Sequence, residues 1–222
     1  KVGGARVVYT EHSEADVRDV RGKWRIAGRW LLRASDGAIG INEGVSRALE
    51  SRFGLPSRMV HTIRNGVDLE LFSENAQRRS ELRRQCGFAP DDTVIGHVAN
   101  FRRNKNHLFL LKAFQRVSQG RQDVKLVLVG QGFPGDAENS EPDVARYIDA
   151  QGLGGSVRML GYRADVQEVL RALDVCCLVS YAEGLPLSLI EAMASGLPVV
   201  GSDIESLREV IHPGVNGLLA PV

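Results

Sequence analysis

Two carboxylates eight positions apart, Glu183 and Glu191, enclose the stretch Gly184-Leu185-Pro186-Leu187-Ser188-Leu189-Ile190. Pro186 suits the first position of a helix, and Gly184 lets the backbone come close to a ligand. A helix starting near Leu187 would present free N–H groups and the positive end of its dipole, which together form an anion site. Carboxylates repel an anion, so Glu183 at the mouth and Glu191 in the second turn are expected to accept hydrogen bonds from sugar or ribose hydroxyls. The run from Asn100 to Asn106 supplies the complementary charge, with Arg102, Arg103 and Lys105 crowded into four positions. Such a cationic loop suits a diphosphate and could stabilise its departure without a metal ion. No Asp-x-Asp pair follows any expected strand; Asp203 and Glu205 come nearest, and a lone Asp-x-Glu is weak evidence for a metal.

These groups need a scaffold, and hydrophobic patterning supplies one. From Thr93 onward, short β-branched runs alternate with amphipathic stretches, the signature of a parallel α/β sheet. Strands are expected over Thr93–Ala99, Val124–Val129, Ser156–Leu160, Val175–Val179, Pro198–Gly201 and Gly217–Ala220. Helices are expected over His107–Gln119, Val144–Gln151, Asp165–Ala172, Leu187–Ala194 and Ser206–Ile211. Six strands with five crossovers suggest a doubly wound sheet, whose common order 3-2-1-4-5-6 places the first and fourth strands side by side. The loops after Ala99 and Val179 then face one crevice. Upstream the pattern is shorter: strands at Arg6–Tyr9, Gly37–Ile41 and Val60–Ile63, helices at Asp16–Ala34 and Glu43–Arg52. The turn Asn65-Gly66-Val67-Asp68 sets the expected boundary, giving residues 1–68 as one partial domain and 69–222 as a second.

A formal charge of +1 argues against a nucleic-acid partner. Cys86, Cys176 and Cys177 have no metal-ligand spacing and read as reduced, buried thiols of a cytoplasmic protein. No apolar run is long enough for a transmembrane helix. The chain opens at Lys1 almost directly on a strand and reads as a piece of something longer. The helix expected over Asp16–Ala34 interleaves Arg18, Arg21, Lys23, Arg25, Arg29 and Arg33 with Val17, Val20, Trp24, Trp30 and Leu31. Such a helix fits an anionic lipid surface or the interior of its own domain, and both readings stand.

The run from Glu183 to Val200 resembles the Glu-x7-Glu signature of glycosyltransferase family 4, retaining enzymes with two Rossmann-like domains (the GT-B type). Further segments fall in the family's order: Thr10-Glu11-His12, Ile63-Arg64-Asn65-Gly66-Val67-Asp68, Phe72, Lys105-Asn106, Gly130-Gln131-Gly132, Leu160-Gly161-Tyr162 and Gly217-Leu218-Leu219. The resemblance implies a nearly complete Rossmann-like donor domain lacking its last helices, preceded by the C-terminal part of a Rossmann-like acceptor domain. It implies that Glu183 contacts the donor sugar, Glu191 the ribose, Lys105 the diphosphate, and His12 the sugar from the acceptor side. Backbone around Gly184, Leu185, Pro186 and Leu187 would hold sugar hydroxyls and phosphate, with Arg102, Arg103 and Gly161 adjoining. The implied reaction moves a sugar from a nucleoside-diphosphate donor to a glycan or lipid-linked acceptor, with no cofactor or metal, at the inner face of a membrane. A GT-B epimerase and a non-catalytic nucleotide-sugar-binding module are the rival readings. Two positions depart from the family: Asn100 stands where an Arg is frequent, and Asn42 where a Ser is frequent.

Overall fold

Strand order follows from which apolar runs can be covered on both faces, and the longer half of the chain meets that condition fully. The computed structural model describes residues 4–13, 17, 19–72 and 76–222. Contacts divide the chain into two units, Lys1–Gly66 with Glu183–Pro186, and Val67–Ala182 with Leu187–Val222.

In the first unit, β1 (Val8–Glu11), β2 (Gly37–Gly40) and β3 (Val60–Thr62) form a parallel sheet in the order β1-β2-β3. Helix α1 (Gly22–Arg33) precedes β2, and α2 (Glu43–Phe53) follows it. Asn42 caps α2 from an extended conformation, its Oδ1 accepting the Val45 N–H at 2.7 Å. The helix expected over Asp16–Ala34 is broken ahead of Gly22, because Arg21 is extended at φ −125° and ψ 161°. Asp16 and Arg18 lie outside the described residues. Along α1 only Leu32 is buried, while Ile26, Trp24, Trp30 and Leu31 are 59%, 70%, 72% and 73% exposed. The basic amphipathic stripe thus faces outward from this unit.

The second unit holds six parallel strands: β4 (Thr93–Val98), β5 (Val124–Val129), β6 (Val157–Met159), β7 (Val175–Leu178), β8 (Val199–Ser202) and β9 (Gly217–Ala220). Their order, β6-β5-β4-β7-β8-β9, is the expected 3-2-1-4-5-6 winding. Strand periodicity sorts the core into two layers. Val127 and Val129 join Cys176, Leu178, Leu189, Leu207 and Ile211 on one face. Leu126 and Leu128 join Cys177, Phe101, Leu111, Phe114 and Ile148 on the other. Adjacent Cys176 and Cys177 therefore enter opposite layers, and burial pushes the Cys176 thiol up to about 12. Burial raises Cys177 as well.

Helices α4 (His107–Val117), α5 (Glu141–Ala150), α6 (Val166–Ala172), α7 (Leu187–Ala194) and the short α8 (Glu205–Arg208) fall close to the expected segments. Helix α3 (Ala76–Gln85) was not expected from the pattern. Its sequence, AQRRSELRRQ, carries one large apolar residue, so no amphipathic period is visible. Leu82 and Arg83 bury its inner side, and Arg83 donates to Ala172 O, Pro90 O, Asp92 O and Asp174 Oδ2. A guanidinium, rather than a hydrophobic stripe, anchors this helix. Among the described residues no helix is long and apolar enough to cross a membrane.

Candidate functional site

In the second unit the candidate diphosphate loop follows β4. Phe101 is fully buried and pins the loop from beneath, its N–H donating to Gln131 O at 3.1 Å. Arg103–Lys105 then make a single 3-10 turn, and Asn106 adopts φ 56° and ψ 36° before α4 begins at His107. Asn tolerates this left-handed conformation better than most residues. Lys105 is half-buried at the end of the turn, its N–H donating to Arg102 O at 2.9 Å.

The structure separates the three cations. Arg102 pairs with Asp136 at 3.4 Å and Arg103 with Asp143 at 3.7 Å, both in surface settings where such pairs are weak. A diphosphate would have to compete with those carboxylates for either arginine. No local pattern pairs them, because the acids lie more than thirty positions away, in the β5–α5 loop and the start of α5.

The loop after β7 is stitched to this turn. Tyr181 N–H donates to Asn104 O at 2.9 Å, and Asn104 Nδ2 reaches Ala182 O at 3.4 Å. Asn104, the residue before Lys105, is thus tied to the segment leading into Glu183. In α7, Leu187 is the first residue and Glu191 is half-buried in the second turn. Burial raises the Glu191 carboxyl above its ordinary value. A carboxylate short of water in this way gains from hydroxyl donors.

The loops after β5 and β6 are also joined. Gly130 N–H donates to Gly161 O at 2.9 Å, and Gly130 has φ 141°. A Cβ on Gly130 would lie 2.1 Å from Ala99 O, so the glycine lets the β4 and β5 ends approach closely. Gly132 N–H donates to Glu141 Oε2 at 2.7 Å.

In the first unit, the Glu11 carboxylate organises the turn that carries His12. Glu11 Oε1 accepts the N–H groups of His12 and Ser13, and Oε2 accepts the Tyr9 hydroxyl at 2.5 Å. The His12 imidazole is exposed. Gly184 belongs to the same unit, and a Cβ there would stand 2.4 Å from His12 O. Glu183 is half-buried, while Leu185 and Pro186 are buried. Among the described residues, no three His, Cys, Asp or Glu side chains are grouped to hold a metal ion.

Beneath the β4–α4 turn lie two histidines ten positions apart, a separation with no ligand spacing. His97 and His107 are fully buried, their rings 4.6 Å apart edge-on, with Phe101 stacked on His107 at 4.3 Å. His97 Nδ1 meets Cys177 O at 2.9 Å, so that nitrogen carries the proton of a neutral ring. Burial holds His97 down to about 4 and His107 down to about 2, the latter helped by its imidazole neighbour. Below pH 6.5 the unfolded chain binds protons that the folded chain refuses, so acid costs stability, at about 1.4 kcal/mol per pH unit for each ring. The loss starts near pH 6.5 and runs to about 4 for His97 and about 2 for His107. Urea midpoints should therefore fall steeply between pH 7 and pH 5, and His107→Gln should remove about half of that slope. Equal pH dependence in wild type and variant would overturn this account.

Residues 92–222 match the family described as glycosyl transferases group 1, and residues 1–71 match glycosyltransferase family 4. EpsF of Bacillus subtilis (strain 168), a glycosyltransferase by name, is 37% identical over 189 residues, covering 85% of this chain and 47% of that protein. The Escherichia coli UDP-Gal:alpha-D-GlcNAc-diphosphoundecaprenol alpha-1,3-galactosyltransferase is 26% identical over 220 residues, covering 96% of this chain and 55% of the enzyme. Anabaena HepE, solved in complex with UDP and glucose, superposes with a TM-score of 0.82 at 27% identity, covering 97% of this chain and 58% of that one. The chain thus spans about half the length of the curated relatives it matches.

Proposed function

The chain belongs to the family 4 glycosyltransferases, with the GT-B fold, and on that premise we propose that the full-length protein transfers a sugar from a nucleoside-diphosphate donor to an acceptor hydroxyl. The observation that carries the reading is the Glu183–Glu191 segment: a half-buried carboxylate, a glycine held against main chain, a buried proline, and then a helix whose second turn carries a carboxylate raised by burial. In this reading Glu183 accepts hydroxyls of the donor sugar and Glu191 those of the ribose. Lys105 and the start of α7 take up the charge that develops on the departing diphosphate, so no metal is required for that task. Arg102 and Arg103 adjoin the diphosphate once released from Asp136 and Asp143. His12 meets the sugar from the acceptor side, and Gly161 adjoins the donor.

Retention of configuration is part of the proposal. The C1–O bond to the diphosphate breaks, the new C1–O bond forms on the same face, and the acceptor proton passes to the departing phosphate oxygen. UDP and a UDP-sugar occupy the HepE structures, and the E. coli relative acts on a lipid-linked diphosphate, which supports a nucleotide-sugar donor and a glycan or lipid-linked acceptor here. The outward stripe of α1, with Trp24 and Trp30 among Lys23, Arg25, Arg29 and Arg33, supports a peripheral seat on anionic lipid at the cytoplasmic face.

The test is calorimetric titration of the full-length protein with UDP, GDP and ADP, followed by incubation of the matching sugar donor with and without acceptor. Product should appear only with acceptor and should keep the donor's anomeric configuration by NMR. Interconversion of the donor alone would make the protein an epimerase. Sedimentation with anionic vesicles tests the membrane seat, and failure to bind at low as well as high salt would sink it.

A further inference from the structure

Asn42 ends the turn between β2 and α2, is 3% exposed, and uses both ends of its amide. Its Oδ1 accepts the Val45 N–H at 2.7 Å, and its Nδ2 donates to Gly184 O at 2.5 Å, both residues lying in the first unit. The orientation of the amide is fixed by chemistry, since an N–H partner demands the oxygen and a carbonyl partner demands the nitrogen. Asp could cap the helix but has no donor for Gly184. Ser could cap it too, but its single short hydroxyl cannot serve both partners at once.

We infer that Asn42 is a positioning residue that holds the main chain of the Glu183–Pro186 loop in its donor-binding orientation. The peptide between Gly184 and Leu185 is planar and trans, so fixing the Gly184 carbonyl on Asn42 aims the Leu185 N–H to the opposite side. Pro186 has no N–H, which makes the Leu185 amide the last main-chain donor before α7. Gly184 has no space for a Cβ against His12 O, so the loop is held from two sides: by a hydrogen bond to its carbonyl and by close packing on its Cα. Asn42 acts through the backbone and touches no reacting atom. The inference rests on the reading of this loop as the donor site.

The experiment separates the cap from the clamp. Asn42→Ser and Asn42→Asp in the full-length protein both keep the acceptor for Val45 N–H, and the thermal midpoint of Asn42→Ser should fall less than that of Asn42→Ala, which loses cap and clamp together. The Leu185 amide nitrogen shares the Gly184 peptide, so its NMR resonance should move in Asn42→Ser and in Asn42→Asp, where a carboxylate faces the carbonyl, while resonances along β5 stay in place. The KM for the sugar donor should rise by about tenfold with a smaller change in kcat, the loss of one buried hydrogen bond. An unmoved Leu185 resonance in both variants would reduce Asn42 to a helix cap and overturn the inference. A wild-type protein that binds none of UDP, GDP and ADP would overturn the donor reading, a result that the resonance measurement does not share.

Discussion

Glu183→Ala and Lys105→Ala, made separately in the full-length protein, each lower transfer by about a hundredfold or more, the scale expected when one preorganised charge or hydrogen-bonding group is taken from a developing transition state. Neither side chain belongs to the hydrophobic core, and each is half-buried on a loop whose main-chain bonds survive the change. Lys105 N–H still meets Arg102 O, and Tyr181 N–H still meets Asn104 O. Circular dichroism and the melting midpoint should therefore match wild type while turnover collapses. Arg102→Ala and Arg103→Ala should cost less, because each guanidinium already has a carboxylate partner. Undiminished turnover in both principal variants would refute the site.

The largest stability effect should come from a residue remote from the chemistry. Arg83→Ala removes a side chain that is 5% exposed and donates to three carbonyls and the Asp174 carboxylate. Those acceptors lie at the C-terminal end of α6 and in the turns leading into β4 and β7, so one guanidinium closes the N-terminal ends of these two strands. Asp174 Oδ2 also accepts Val94 N–H, at 2.7 Å, and would be left without its cation. The cation is buried but the carboxylate left behind is 30% exposed, so the loss should be about 3 kcal/mol, the lower end of the range for breaking a buried pair. Arg83→Lys should recover little, since an ammonium cannot reproduce the planar fork that reaches four acceptors. Chemical denaturation measures the loss, and a variant within about 1 kcal/mol of wild type would show that the network contributes little beyond what water would replace.

The winding of the larger sheet was legible because β-branched runs are local signals and the doubly wound order is the common solution for six parallel strands. Val124–Val129 and Gly217–Ala220 have the bounds that the pattern implies. The Glu183–Glu191 segment was legible because its chemistry is contiguous. What stayed hidden was whatever depended on distant partners. Helix α3 has no hydrophobic period, so only the carbonyls gathered around Arg83 reveal why it docks. Arg102 and Arg103 look like free cations in sequence until Asp136 and Asp143 are folded against them. His97 and His107 sit ten positions apart with no ligand spacing, and their edge-on contact is purely a product of the β4–α4 turn. Asn42 and Gly184 are 142 positions apart, a separation no local pattern bridges.

The two tryptophans of the chain, Trp24 and Trp30, both lie on α1 and both face outward. Intrinsic fluorescence excited at the indole band is therefore an optical label for the first unit alone. A melt followed by tryptophan emission reads the surroundings of α1, whereas far-ultraviolet ellipticity reads the helices and strands of both units. The same two indoles, starting from a water-exposed and red-shifted spectrum, would turn blue on entering lipid, giving a built-in spectroscopic reporter that needs no added dye.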